Sequence, residues 1–456
     1  MVNKFNLKHK YIKRLVRKNY FVEALAKDNK SKILTPDTKA WCYFNLGMYK
    51  TAASFEDITL EARGLFAKIV SLGACGEFEK LKRTLVKFQK LKEYDSYISK
   101  LANHIVRYMP NLVYSLIKDN PNLELSLYCA ILLKLEYKDK AYNLLDEAIK
   151  SQEDTKNPEL LLYFNNASKE AFPPQKQLKL VNQYLKFYNI PKVTLKDNIK
   201  ALNTLNIKCK IDKKISGPLV TIIMTTYNTK DIVSMSIESI LEQTYKNIEL
   251  LIVDDASTDD TISILKAWEK RDQRIRIIAL QQNGGTYIAK NTALLQAKGR
   301  YVTCHDSDDW SHPLKIERQV KPLINNWHLV ATISSWVRVD QNGQFYARPV
   351  HTLMRQNPSS LMFKRKKILE TIGVWDSVRT GADSEYIERI KLVFGRKRVR
   401  RIKEPLSFGA HRENSLMTSS ETGYCDIGMS PQRLKYWESW RQWHREELEN
   451  GRKPYK

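Results

Sequence analysis

Three carboxylates, Asp306, Asp308 and Asp309, close the stretch Tyr301-Val-Thr-Cys-His-Asp-Ser-Asp-Asp-Trp310. Residues of strand character, aromatic and β-branched, run straight into them. Acids this close repel one another unless positive charge is set among them. A hard divalent cation with oxygen ligands meets that need. On an extended backbone Asp306 and Asp308 point the same way. The competing account is an exposed acidic turn, since Asp and Ser are common turn formers.

The elements that position these acids begin after Pro218. Leu219-Val-Thr-Ile-Ile-Met224 is a short β-branched run and reads as a buried strand, followed by the polar loop Thr225-Thr-Tyr-Asn-Thr229. A helix with Ile237, Ile240 and Leu241 on one face leads to a second buried strand, Ile248 to Val253. That strand ends in Asp254-Asp255-Ala-Ser-Thr-Asp-Asp260. A helix from Thr261, a strand near Ile275 to Leu280, the loop Gln282-Asn-Gly-Gly-Thr286 and a helix through Ala289 and Ala293 bring the chain to Tyr301. Strand and helix alternate, so an α/β sheet with mainly parallel strands is expected. In such sheets ligands gather beyond the carboxyl ends of the strands. The first, second and fourth strands all end in polar, ligand-capable residues, and this coincidence outweighs any single motif.

In order, Pro218-x-Val-x-Ile-Ile-x-Thr-x-Tyr-Asn228, Gln243-Thr-Tyr245, Val253-Asp-Asp-x-Ser-Thr-Asp259, Asn283-x-Gly-x(3)-Ala-Lys-Asn291 and Gly299-x-Tyr-Val-x-x-x-Asp-x-Asp-Asp309 appear. Together they resemble a family 2 glycosyltransferase of the GT-A fold, over about residues 218–418. The resemblance implies transfer of a sugar from a nucleoside diphosphate donor with inversion at the anomeric carbon. It implies a nucleotide site built from Thr225, Tyr227, Asp255, Lys290 and Asp306. Tyr227 would stack on the base, and Asp255 or its neighbour Asp254 would accept the imino N–H of uracil, with Asp255 favoured by the resemblance. Lys290 stands where many relatives carry Arg and would face a phosphate as a point charge, without a bidentate grip. Asp306 would reach ribose or metal and Asp308 would bind the metal, Mn²⁺ or Mg²⁺, with Asp309 as the alternative ligand.

Downstream, Gly381-Ala-Asp-Ser-Glu-Tyr-Ile-Glu-Arg389 resembles the family segment in which a Glu-Asp pair opens a helix; Ala382 replaces the Glu and Asp383 matches the Asp. Asp383 is the expected catalytic base, with Glu385 as fallback; the plain alternative is an Asp that only caps a helix. His411-Arg-Glu-Asn-Ser-Leu-Met-Thr418 resembles a loop that closes over the donor diphosphate, and His411 is a candidate third metal ligand. His305 and His312 carry no family role.

From about Lys8 to Asn206 the apolar spacing is helical, and Gly and Pro fall between the periodic runs. Aromatics recur at Tyr20, Tyr49, Phe78, Tyr108 and Tyr137, in steps of 29 or 30 residues. Such spacing resembles tetratricopeptide-like helical hairpins with a shorter period. The expected division is an all-α repeat-like domain over 1–213, an α/β GT-A (Rossmann-like, mainly parallel) domain over 214–426, and a C-terminal helical extension over 427–456. Pro431 to Glu449 reads as a helix whose tryptophans either pack on a neighbouring domain or sit at a membrane interface.

The chain has 456 residues, 76 Lys and Arg against 50 Asp and Glu, and a formal net charge of +26. That excess favours anionic partners. The six cysteines are scattered and form no CxxC pair, which excludes a zinc framework or disulfide scaffold as the organising feature. No apolar stretch reaches the ~18 residues of a membrane span. A nucleic-acid reading rests on charge alone and is not expected. The expected partners are a nucleotide-sugar donor and a polysaccharide or lipid-linked glycan acceptor, such as capsule or lipopolysaccharide. Peripheral contact with an anionic membrane or with biosynthetic partner proteins fits the charge and the helical array. The expected location is the cytoplasm, at the inner face of the membrane where contact is made. The alternative is an inactive glycan- or partner-binding scaffold that uses the helical array.

Overall fold

The computed structural model describes residues 2–29, 31–120, 123–412 and 421–456. Most of the loop expected to return over the donor, from Glu413 to Thr418, lies outside the described residues. The backbone divides into two compact units. One runs up to Leu135 and takes in the C-terminal stretch to Pro454; the other runs from Glu136 to Arg412 and includes Tyr455 and Lys456. The expected boundary at residue 213 therefore falls inside the second unit.

The first unit is helical. Tyr49 and Phe78 each open a helix, Tyr49–Ala53 and Phe78–Gln89, and Tyr20 sits immediately before Phe21–Asp28. Gly47 and Gly76 precede two of these starts with φ of 76° and 77°. Glycine ends the preceding helix there because the left-handed turn disfavours a Cβ. The 29-residue rhythm thus marks helix starts. The C-terminal helix Pro431–Glu449 belongs to this unit. Its Trp440 is buried, and Trp437 lies so close to Gly47 that a Cβ there would come within 2.6 Å of the ring. Arg441 Nε donates to the Leu46 carbonyl at 3.0 Å. Of the two uses open to these aromatics, packing is the one Trp437 and Trp440 serve.

In the second unit, β1 (Thr194–Leu195) and β2 (Ile207–Lys208) form a small antiparallel ribbon. The main sheet holds β3 (Val220–Thr226), β4 (Ile248–Asp254), β5 (Ile275–Ala279) and β6 (Tyr301–Asp306), all parallel, in the order β5-β4-β3-β6. It continues through β11 (Met362–Lys364), β8 (Ala331–Val339) and β12 (Val399–Ala410) to β7 (Trp310–Ser311). Here β11 is antiparallel to both neighbours, β12 is parallel to β8, and β7 is antiparallel to β12. The short strands β9 (Phe345–Tyr346) and β10 (Arg355–Gln356) pair antiparallel with β8. The α/β sheet expected from the alternation is present, and its purely parallel half is the half that carries the motifs.

Alternate residues of β3 serve opposite faces, as the strand period requires. Val220, Ile222 and Met224 pack under the helices Val233–Leu241 and Lys315–Asn325 through Ile237, Ile240, Ile316 and Val320. Ile223 faces the other core, with Ala289 and Ala293 of Thr286–Gln296 and with Tyr386 and Ile390 of Ala382–Phe394. Both faces are covered, which explains the near-continuous apolar runs of the parallel strands.

The helices Glu159–Ala167 and Pro174–Phe187 belong to this unit for a polar reason. Glu159 accepts the backbone N–H groups of Leu353 and Met354 at 2.8 and 2.9 Å. Asn165 and Gln177 bond the backbone of the turn between β8 and β9, and Asn166 bonds the Phe345 carbonyl at the start of β9. Buried backbone groups need partners, and these side chains supply them.

Candidate active site

The acids of the opening stretch sit at the C-terminal end of β6, level with the ends of β3 and β4, because Thr225 pairs with Asp306 and Thr226 with Asp254 across the sheet. Thr225 Oγ1 lies 2.9 Å from the Thr286 hydroxyl. Tyr227 stands on the loop beyond β3, 48% exposed. Its loop is fixed to the next one. Asn228 Oδ1 accepts the Thr258 N–H at 2.8 Å, and the Asn228 N–H donates to Ser257.

Two adjacent acids at the end of β4 divide their work. Asp254 is buried and accepts from Thr226 Oγ1 and from the backbone N–H and hydroxyl of Ser257, so it fastens its own loop. Asp255 accepts the N–H groups of Gly284 and Gly285, one on each carboxylate oxygen, both at 2.8 Å. It therefore pins the glycine loop. Gly285, at φ 87°, adopts a conformation a side chain would resist. Each oxygen keeps lone-pair capacity for one further donor.

The chain provides cations for the acidic cluster that adjacent sequence did not suggest. Arg412 donates to Asp308 at 2.6 Å. Lys315 is buried, its amine pushed down to about 8 by burial against the pull of Asp309 and Asp306. Asp308 and Asp309 are both held above the usual carboxylate range, first by burial and then by neighbouring acids, with Arg412 and Arg338 opposing. Asp306 accepts the Ser359 hydroxyl at 2.7 Å. Asp309 is directed at the Ala410 N–H at 3.2 Å, a structural use. His411 stacks on Tyr346, ring centroids 3.7 Å apart and planes 6° apart.

Among the described residues, no three side chains of His, Cys, Asp or Glu converge on one metal position. The four candidate ligands thus stand apart in use. Asp306 and Asp308 offer hard oxygen donors at the strand end, and the raised carboxyl of Asp308 is the kind of strain a divalent cation relieves.

Asp383, in the first turn of Ala382–Phe394, is bound by Lys290 at 3.0 and 3.1 Å and by the Tyr287 hydroxyl at 3.2 Å. Lys290 is 2% exposed, and despite burial Asp383 holds its ammonium well above the usual range. The lysine expected to face a phosphate is thus placed on the expected base. Glu385, the fallback base, is fully buried in a two-pronged ion pair with Arg389 at 2.6 and 2.9 Å, and that pair fixes the helix. His305 and His312 are buried and serve the framework. His305 bonds the Asp309 carbonyl and Ser311; His312 bonds the Pro191 carbonyl and the Leu314 N–H.

Sequence reasoning missed Tyr287, Ser359 and Arg412 as neighbours of the acids. Tyr287 and Arg412 lay inside stretches already singled out, next to Lys290 and His411. Ser359 carries no signal, because only the bend before β11 brings it to Asp306.

Residues 221–385 match the family described as "Glycosyl transferase family 2". The chain is 43% identical over 104 residues to a putative teichuronic acid biosynthesis glycosyltransferase, TuaG, of Bacillus subtilis, covering 23% of this chain and 41% of that protein. It is 47% identical over 102 residues to an Escherichia coli UDP-Glc:alpha-D-GlcNAc-diphosphoundecaprenol beta-1,3-glucosyltransferase, WfaP, covering 22% of this chain and 40% of that one. The chain therefore spans less than half the length of these two relatives. The crystal structure of S. aureus TarS 1-349 with UDP-GlcNAc aligns with 19% identity and a TM-score of 0.36, covering 43% of this chain and 59% of that one. With the motifs in order, the sheet beneath them and the family match over the same residues, the segment 221–385 belongs to glycosyl transferase family 2.

Proposed function

We propose that this chain is an inverting glycosyltransferase that moves a sugar from a nucleoside diphosphate donor, a UDP-sugar, to a growing bacterial surface glycan. The observation that carries the reading is the gathering of Tyr227, the Asp255-pinned glycine loop, Asp306 and Asp308 at neighbouring strand ends within the family segment. The relatives' names support the acceptor class, since both concern bacterial glycan assembly.

In this reading Tyr227 stacks on the base and Asp255 accepts the imino N–H of uracil with its remaining lone pairs. Asp306 and Asp308 would hold Mn²⁺ or Mg²⁺, which supplies positive charge against the leaving diphosphate. Asp383 takes the proton of the acceptor hydroxyl as its oxygen bonds to the anomeric carbon. The bond from that carbon to the diphosphate oxygen breaks on the opposite face, and the electron pair leaves with the nucleotide. Lys290 and Tyr287 keep the Asp383 carboxylate in place, so that the base is positioned before the acceptor arrives.

The test is a donor screen with the purified chain, reading nucleotide release, followed by calorimetry with UDP and GDP in the presence of Mn²⁺. UDP is expected to bind more tightly and UDP-sugars to turn over. Tighter binding of GDP would remove the base assignment, and inertness toward every donor would leave a binding scaffold in place of an enzyme.

A further inference from the structure

The end of the sheet opposite the acids carries a separate charged surface. Arg300 begins the approach to β6, and β6 runs from there to Asp306, about 17 Å at the usual strand rise. At that far end Arg300, Lys364, Lys366 and Lys367, with Glu370 and Thr371, line a recess of about 300 Å³. One carboxylate in the lining faces four cations, and Glu370 lies 3.9 Å from Lys366. Lys364 is held below the usual range by burial and then by the like charges of Lys367 and Arg300.

The same end extends through backbone hydrogen bonds. The Val330 carbonyl accepts from Lys364, and the Val330 N–H donates to the Arg398 carbonyl. The basic run Arg396-Lys-Arg-Val-Arg400 is thereby set beside the recess, and Lys397 and Arg400 are exposed. Just past the helix Lys315–Asn325, Trp327 is 72% exposed, and Ile324 is 42% exposed three residues before it. Lys364 Nζ donates to the Trp327 carbonyl at 3.1 Å, which ties the aromatic to the rim of the recess.

We propose that this basal surface docks on an anionic lipid bilayer, with a phospholipid phosphate in the recess of Arg300, Lys364 and Lys367 and the Trp327 ring in the headgroup layer. Cations concentrate the protein at a negative surface, and an exposed Trp among Lys and Arg gains from the interface, where its ring is half apolar and its N–H stays wet. The exposed aliphatic Ile324 favours a bilayer over a nucleic acid, which offers bases for stacking and no apolar layer. Nothing in this surface depends on the donor chemistry of the opposite end.

The experiment is co-sedimentation of the full chain with phosphatidylcholine vesicles, plain or doped with phosphatidylglycerol. Binding is expected to the doped vesicles and to fade at high salt. K366E/K367E reverses two exposed charges, each charge being worth about fivefold at such a surface, so affinity should fall on the order of 30-fold or more. Trp327→Phe is the conservative companion; a brominated lipid should quench part of the wild-type emission, and that part should vanish in the variant. Melting curves confirm that both variants are folded. Equal binding to neutral vesicles, or both variants behaving as wild type, would overturn the proposal. So would an oligonucleotide that binds more tightly than the doped vesicles and is released by the same substitutions.

Discussion

Lys290 Nζ lies 3.0 Å from Oδ2 of Asp383, joining the glycine-loop motif Asn283–Asn291 to the Gly381–Arg389 motif across 93 residues. The lysine is almost wholly buried, while the carboxylate is 18% exposed at the side-chain level. The pair has a structural cost if broken and a chemical role if the carboxylate is the base. The two can be separated.

Asp383→Asn should abolish transfer and also destabilise the fold by about 3 kcal/mol, because it leaves the Lys290 charge buried without its partner. Adding Lys290→Met should restore most of the stability and none of the transfer. Melting temperature and initial rate on the wild type and the two variants check this. Transfer that recovers together with stability would reduce Asp383 to a framework residue.

Chelation should stop transfer, and Mn²⁺ or Mg²⁺ should restore it, with Asp308→Asn raising the metal concentration needed. The Arg412 and Asp308 side chains are 49% and 23% exposed, so the pair adds only about 0–1 kcal/mol to stability. Arg412→Ala should therefore barely move the melting temperature, and any change in donor KM reports on the site. Rates indifferent to chelator would remove the cation from the reaction.

His312 is buried and neutral, with a pKa lowered from 6.5 to about 4, chiefly by burial. Between those values the unfolded chain binds a proton that the folded chain refuses. The stability it contributes is present above pH 6.5 and is lost as pH falls toward 4, by about 3 kcal/mol at 1.36 kcal/mol per unit. Urea titrations across that window should show a shallower pH slope for His312→Gln than for the wild type. Equal slopes would refute the assignment.

Glu159→Ala should destabilise the second unit, since the N–H groups of Leu353 and Met354 lose their acceptor, at about 1–3 kcal/mol for each group left buried. Glu159→Gln, which retains one oxygen, should cost less. Denaturant midpoints measure both. The same contacts mean that a chain cut near Lys213 loses part of its α/β unit and makes a poor probe of the helical region.

Much of this protein is legible in its sequence. The β-branched runs at Val220 and Ile248 are buried on both faces, so their composition alone announces parallel strands. The loaded strand ends at Asp255 and Asp306 follow from the parallel arrangement, because parallel strands end on one edge. The aromatic rhythm of the N-terminal half marks helix starts at Tyr49 and Phe78, where the left-handed turn just before is a local requirement that Gly47 and Gly76 meet.

What remained was decided in three dimensions. Asp254 and Asp255 are chemically identical neighbours, and only the position of the Gly284-Gly285 loop gives one to its own turn and the other to the loop. The family resemblance assigns Lys290 to a phosphate, yet an acid 93 residues away claims its charge. Helices before residue 213 read as one array from their period, but the unit boundary fell near residue 136. Local sequence sets what an element is, through turn geometry and apolar spacing. Which buried polar groups pair with which is a property of long-range contacts, and those pairings decide where the units divide and what each acid is available to do.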